Sequence, residues 1–352
     1  MLDSVQGKSG DHVYTRWSNP TTKSVEEKIS ALEGTEDTHV VASGMAAITS
    51  AIMGLVKGGD CILSSDSIYG GTVHFFNEIL PQNGIQVDYV GTEEVADALS
   101  DSGDKYKLCF FETPTNPTLK IVDIKQVADA AIATGTTSMI DSTFGSPINQ
   151  RPHEFGVDLV MHSATKYLGG HSDIIAGTVS GSKELMVKVR SAAKLLGGTM
   201  DPFASFLLDR GIKTLSVRME RHNSNAMYLA GNLSKDHRIK QVHYPGLPSH
   251  PHHEVARKQM DGYGGMLSID LDTNLAGTRQ FVDSLDIFLN AVSLGGVESL
   301  ASIPVLTTHF GLGEKALNEA GICDSTIRLS VGIEDATDLL EDLMIALDSL
   351  DQ

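Results

Sequence analysis

The chain has 352 residues, 41% hydrophobic and 20% charged, which is long enough for a large core and two domains. Lys and Arg number 27 against 45 Asp and Glu, and the formal charge of −18 argues against nucleic acid or an anionic membrane as the main partner. The three cysteines, Cys61, Cys109 and Cys323, are odd in number and widely spaced, which speaks against a disulfide framework or zinc site and for a reducing cytoplasm.

No apolar run approaches transmembrane length, and the N-terminus Met1-Leu2-Asp3-Ser4 lacks a basic-then-apolar signal pattern, so neither membrane insertion nor export is expected. The first helix is expected to open at Ser24, whose hydroxyl could cap the third following amide while Glu27 reaches back. Val25, Ile29 and Leu32 then share a face, and Gly34 stops it. From there strand and helix alternate, with strands predicted at 38–42, 61–64, 85–90, 107–111, 137–140, 157–162 and 176–180. Short apolar strands separated by helices imply an α/β fold whose mainly parallel, seven-stranded sheet is covered on both faces. A helical region over 201–233, interrupted near Gly211, changes the rhythm, and a boundary near 215 divides a large domain, 19–215, from a smaller C-terminal α+β domain, 216–352. The smaller domain has predicted strands at 239–244, 266–271, 287–292 and 326–331 and a closing helix over 335–350. His250, His252 and His253, beside Pro248 and Pro251, read as a solvated loop ahead of a metal site, and no metal is assigned.

Ligands of open α/β sheets bind beyond the carboxyl ends of the strands, and several predicted strands end in polar residues. Strand 38–42 leads into Ser43-Gly44-Met45, strand 107–111 into Glu112-Thr113-Pro114-Thr115-Asn116-Pro117, strand 137–140 into Asp141-Ser142-Thr143, and strand 157–162 into Ser163-Ala164-Thr165-Lys166. Ser43-Gly44-Met45 offers backbone amides at a helix N-terminus, a phosphate site to which Ser163 and Thr165 could add hydroxyls; turn capping is the competing reading for each. Lys166 follows a buried strand, where an amine close to apolar groups and other cations loses proton affinity and can form a Schiff base with an aldehyde such as pyridoxal phosphate (PLP). Taken alone, this decapeptide is equally compatible with a structural lysine. Asp141 closes an apolar strand and needs a cationic partner; a pyridinium N–H would serve, and would make the ring an electron sink. Asn116 could bond the ring's phenolic oxygen, and Tyr69, in Ile68-Tyr69-Gly70-Gly71-Thr72, could stack on it.

Together with Tyr14-Thr15-Arg16, Ser293-Leu294-Gly295-Gly296 and Arg328-Leu329-Ser330-Val331-Gly332, these motifs resemble the cystathionine/methionine γ-family of PLP enzymes, in the family's order from about residue 14 to the end. The resemblance implies the fold-type I, aminotransferase-like architecture, a homotetramer built from dimers, and PLP bound at Lys166. It makes Gly44, Met45, Ser163 and Thr165 phosphate ligands, with Ser43 and Thr143 among the cofactor contacts, Asp141 the partner of the ring nitrogen and Tyr69 the stacking ring. Tyr14 and Arg16 correspond to the pair that reaches the phosphate of the neighbouring subunit. Asn116, Ser293 and Arg328 correspond to the groups holding the substrate's α-carboxylate, although Arg328 alone reads as a surface ion pair in an exposed-looking strand. The chemistry implied is removal of the α-proton by Lys166, with Tyr69 as a further acid or base, and loss of a leaving group from the γ-carbon of an amino-acid substrate.

Three departures bear on the substrate and assembly. Relatives that bind cystathionine commonly carry Arg at the position of His74 and Glu at that of Val292, which points to C–S lysis of methionine or homocysteine ahead of γ-replacement on an O-acylhomoserine. Against this, Gly71 stands where methionine γ-lyases usually have cysteine. Thirteen residues precede Tyr14, so a short N-terminal arm over 1–18 is expected where relatives carry a longer one.

Overall fold

A computed structural model describes residues 12–311, 313, 317 and 320–351; residues 1–11 of the expected arm lie outside the described residues. Helix α1, Pro20–Glu33, begins earlier than the sequence reading placed it. Extended Asn19 accepts a hydrogen bond from the Thr22 amide at 2.9 Å, and Pro20 fits the first helical position, where no N–H is needed. Ser24 therefore lies inside the helix and is not its cap, because the Asn-Pro pair had already started the turn. Gly34, at φ 71°, closes the helix by donating its N–H to Ser30 O.

The chain then runs β1 (Asp37–Val41), α2 (Gly44–Leu55), β2 (Cys61–Ser65), α3 (Gly70–His74), β3 (Gln86–Val90), α4 (Val95–Ser100) and β4 (Leu108–Glu112). It continues through α5 (Ile124–Thr134), β5 (Thr137–Asp141), α6 (Ser146–Asn149), β6 (Leu159–His162), β7 (Gly177–Gly181) and α7 (Lys183–Leu196). These strands form one seven-stranded sheet in the order β1-β7-β6-β5-β4-β2-β3. β7 is antiparallel to both its neighbours, and the other pairs are parallel. Each central strand is apolar on both faces. Phe110, Met139 and Met161 pack on the side of α2 and α7, while Cys109, Phe111, Ile140 and Val160 pack on that of α4 and α5.

After α8 (Pro202–Ile212) and α9 (Leu215–Leu233) a second sheet is built from β8 (Ile239–His243), β9 (Met266–Leu271), β10 (Leu289–Asn290), β11 (Leu300–Ser302) and β12 (Thr326–Ser330). Helices α10 (His253–Gln259), α11 (Leu275–Asp283) and α12 (Ala336–Asp348) accompany it. Its order is β10-β11-β12-β9-β8, mixed in direction, with its own core around Leu267, Ile269, Phe281 and Leu343.

Two expectations for this region are corrected. The strand predicted at 287–292 shrinks to β10, because the buried Asp342 carboxylate takes the amides of Asp286, Ile287 and Phe288 at 2.8, 3.0 and 3.0 Å; β11 was not foreseen. His250, His252 and His253 do not form a solvated loop. His252 Nδ1 accepts from the Ile121 amide at 3.0 Å, its Nε2 faces Glu93 at 2.9 Å, and burial pushes the His250 imidazole down to about 4. Those partners lie far away in sequence, so local composition could not show them. Among the described residues no His, Cys, Asp or Glu cluster is placed to hold a metal ion, and no helix is long and apolar enough to cross a membrane.

The cap assignment is testable by denaturant unfolding: Asn19→Ala is expected to cost about 1 kcal/mol, whereas Ser24→Ala should stay within about 0.5 kcal/mol of the parent.

Candidate active site

Because β1, β4, β5 and β6 run in one direction, their carboxyl ends open on one edge of the sheet, and Ser43, Gly44, Met45, Asn116, Asp141, Thr143, Ser163, Thr165 and Lys166 follow those ends. At the end of β1, Ser43 caps α2 by accepting from the Ala46 amide at 3.0 Å. The amides of Gly44 and Met45 have no acceptor among the described residues, and they point out of the positive end of the helix. A Cβ on Gly44 would stand 2.9 Å from Ser163 Cβ, so glycine is what lets the α2 turn meet the turn after β6. The Thr165 hydroxyl holds that second turn, accepting from the Ala176 amide at 3.0 Å and donating to its carbonyl at 3.2 Å. The Ser163 hydroxyl has no protein partner among the described residues.

At the end of β5, Asp141 is buried, and its Oδ1 accepts from the Thr143 amide at 3.0 Å and the Thr143 hydroxyl at 2.5 Å. The same hydroxyl accepts from the Ser163 amide at 2.8 Å, which locks the ends of β5 and β6 together. Burial pushes the Asp141 carboxyl up despite these bonds, and Oδ2 accepts no hydrogen bond among the described residues. A carboxylate oxygen left open on this largely buried side chain fits a cationic N–H, and the open amides of Gly44 and Met45 fit an anion. The two features match the ring nitrogen and the phosphate of PLP.

Lys166 comes next, its Nζ donating to Ser293 Oγ at 2.8 Å. Burial, and then the nearby Arg328 charge, bring its ammonium down to about 8. Ser293 reaches it across the domains from a backbone at φ 93°, a left-handed conformation that costs a non-glycine residue about 1–3 kcal/mol. Arg328 is not exposed but 3% accessible, because β12 is a central strand of the second sheet. Its Nη1 donates to Asn116 Oδ1 at 3.1 Å and its Nη2 to the Ser293 carbonyl at 3.0 Å, while its Nε is buried without an acceptor. Burial lowers the guanidinium to about 10.

Tyr69 sits half-exposed at the start of α3, its amide held by Glu112 Oε2 at 2.9 Å. A Cβ at Gly71 would meet the Tyr69 ring at 2.5 Å, so this glycine allows the ring to fold back over its own turn. Tyr14 and Arg16 do not join the cluster within the single chain. Tyr14 packs edge-on against Trp17, and Arg16 donates to the Lys194 carbonyl at 2.6 Å.

Two residues at the site had no role in the sequence reading. Glu112 ends β4 directly beside Asp141, and its place at the end of a fully buried strand was the available signal. His309, which burial and Arg328 bring down to about 4, follows a short turn of the second domain and had no local signal.

A sequence profile of the family described as Cys/Met metabolism PLP-dependent enzyme matches residues 2–348. Chloroplastic cystathionine γ-synthase 1 of Arabidopsis thaliana is 41% identical over 352 residues, a match that takes in 99% of this chain and 62% of that protein. The chain thus spans less than two thirds of the plant relative's length. Cystathionine β-lyase of Lactococcus lactis subsp. cremoris is 42% identical over 343 residues, covering 97% of this chain and 90% of the relative. Among solved structures, cystathionine γ-synthase from Xanthomonas oryzae pv. oryzae in complex with cystathionine superposes with a TM-score of 0.93 at 39% identity, covering 97% of this chain and 88% of that one. Cystathionine γ-lyase from Lactobacillus plantarum complexed with L-serine gives 0.92 at 39% identity, covering 96% and 88%. With the family profile matching residues 2–348 and this near full-length similarity, the chain belongs to the Cys/Met metabolism family of PLP-dependent enzymes.

Proposed function

We propose that the chain is a carbon–sulfur lyase that eliminates sulfur from the γ-carbon of methionine or homocysteine. The observation that supports the reading is the bonded line from Lys166 Nζ through Ser293 to Arg328 and Asn116, a weakly basic amine beside a guanidinium fork suited to a carboxylate. When bound, the cofactor supplies an electron sink for a carbanion at the substrate's α-carbon. Lys166 would hold the cofactor at its aldehyde carbon and, when free, would take the α-proton; an amine brought down to about 8 is partly neutral at physiological pH and suits both tasks. Arg328 binds the α-carboxylate through its fork and its unsatisfied Nε, with Asn116 and Ser293 fixing the plane of the guanidinium. Asp141, oriented by Thr143, would hold the ring nitrogen. Ser43, Gly44, Met45, Ser163 and Thr165 would hold the phosphate, and Tyr69 would stack on the ring and serve as acid or base toward the γ-carbon.

The substrate's far end decides between lysis and replacement. His74 is exposed and turned to Glu78 at 2.9 Å, and Val292, the residue before Ser293, is an exposed apolar side chain, an arrangement that suits a thioether end better than a second polar head. A second reading, γ-replacement on an O-acylhomoserine, is favoured by the Tyr69-Gly70-Gly71-Thr72 turn, whose ring leaves no room for a Cβ at residue 71, and by relatives named cystathionine γ-synthase. We also propose that Tyr14 and Arg16, facing away from their own site, complete the phosphate site of a second copy in a homotetramer of dimers. The free thiols of Cys61, Cys109 and Cys323 suit a cytoplasmic enzyme.

A substrate panel on PLP-loaded protein separates the two readings. Lysis predicts 2-oxobutyrate and methanethiol from methionine alone, whereas product that forms only when an acylhomoserine and a thiol are both present would establish replacement. Arg328→Lys should raise KM for the amino acid by about tenfold or more, with the cofactor still bound, because a lysine cannot form the two-point fork. An unchanged KM would remove Arg328 from the carboxylate site.

A further inference from the structure

Glu112 and Asp141 end adjacent parallel strands in register, on the same face of the sheet, and both side chains are buried. Neighbouring strands lie about 4.8 Å apart, so two carboxylates set abreast in this way repel strongly unless a cation or a proton intervenes. Among the described residues no Lys, Arg or His forms an ion pair with Glu112. From β6, His162 is bonded to Glu33 at 2.5 Å, and from the end of β2, Asp66 accepts from Thr92 at 3.0 Å. What does reach Glu112 is backbone N–H, that of Tyr69 at 2.9 Å, at the N-terminal end of α3, together with that of Asn116. A pyridinium would bring one positive charge to this edge, enough for one carboxylate.

We propose that Glu112 is a positioning residue that keeps its carboxyl as the neutral acid, anchoring Tyr69 over the cofactor while leaving Asp141 the only carboxylate facing the ring. This rests on the roles proposed above for Tyr69 and Asp141. Burial and the adjacent Asp141 push the Glu112 carboxyl well above the usual carboxylate range, outweighing the amide hydrogen bonds from Tyr69 and Asn116 that pull it down. The arrangement also explains why a glutamate, and not an apolar residue, ends the otherwise apolar strand Leu108–Glu112. Tyr69 stands on a short turn and needs a fixed acceptor beneath it.

The full chain reconstituted with PLP tests this through Glu112→Gln and Glu112→Met. The glutamine keeps a neutral acceptor for the Tyr69 amide. Its PLP dissociation constant should stay within about threefold of wild type, and the pH midpoint of the bound cofactor's visible band should not move. The methionine fills the same space without an acceptor, so PLP should bind about tenfold more weakly and the cofactor's visible circular dichroism should fall as the Tyr69 ring loosens. A shift of about one pH unit or more in Glu112→Gln would mean that Glu112 carries charge, and would overturn the proposal. Wild-type affinity and dichroism in Glu112→Met would overturn it equally. Should the methionine variant not fold, the glutamine midpoint decides alone. Failure of the underlying site assignment would be seen separately, as a wild-type protein with no visible band.

Discussion

The organising constraint of this molecule is that titratable groups of opposite kinds are buried at one sheet edge without being paired with each other. Lys166 and Arg328, both cationic, share Ser293 as an acceptor, and among the described residues no carboxylate forms an ion pair with either. On the other side of the edge stands the Asp141 carboxylate, with the carboxyl of Glu112 abreast of it. Burying charge in this way is costly, and a fold built for stability alone would bring the opposite signs together. Here they are held apart, and the gap is suited to a ligand that carries both signs: an anionic phosphate and a cationic ring nitrogen on the cofactor, a carboxylate on the substrate.

Holding that separation requires rigid supports, and the rest of the site consists of them. The Thr143 hydroxyl ties β5 to β6, Gly44 lets the α2 turn touch the Lys166 turn, and Thr165 fastens that turn to Ala176. Ser293, in a strained backbone conformation, brings the second domain to within hydrogen-bonding distance of Lys166. The same burial that makes the site costly lowers the affinity of Lys166 for its proton, so the stability penalty and the reactivity have one origin.

Much of this was legible in the sequence because it is carried by short local patterns. Alternating apolar strands and helices specified the sheet, and polar residues directly after strands located Lys166, Asp141, Gly44 and Asn116. What escaped depended on distant partners. Arg328 looked exposed because a single strand does not reveal its neighbours on both sides. The strand at 287–292 failed because Asp342, remote in sequence, captures its amides. The histidine cluster read as solvated until Ile121 and Glu93 supplied its partners. Ser24 lost to Asn19 for a local reason, since an asparagine followed by proline starts a helix before a later serine can.

The claim on which the account rests is that Lys166 is the amine that takes the cofactor, and its most direct measurement is the visible absorbance that develops when cofactor-free protein meets PLP. The account predicts a yellow adduct in wild type, forming faster as pH rises through about 8 because only the neutral amine reacts, and no such adduct in Lys166→Ala. A wild-type protein that never forms the adduct, or a Lys166→Ala protein that forms it with the same pH dependence, would contradict the account.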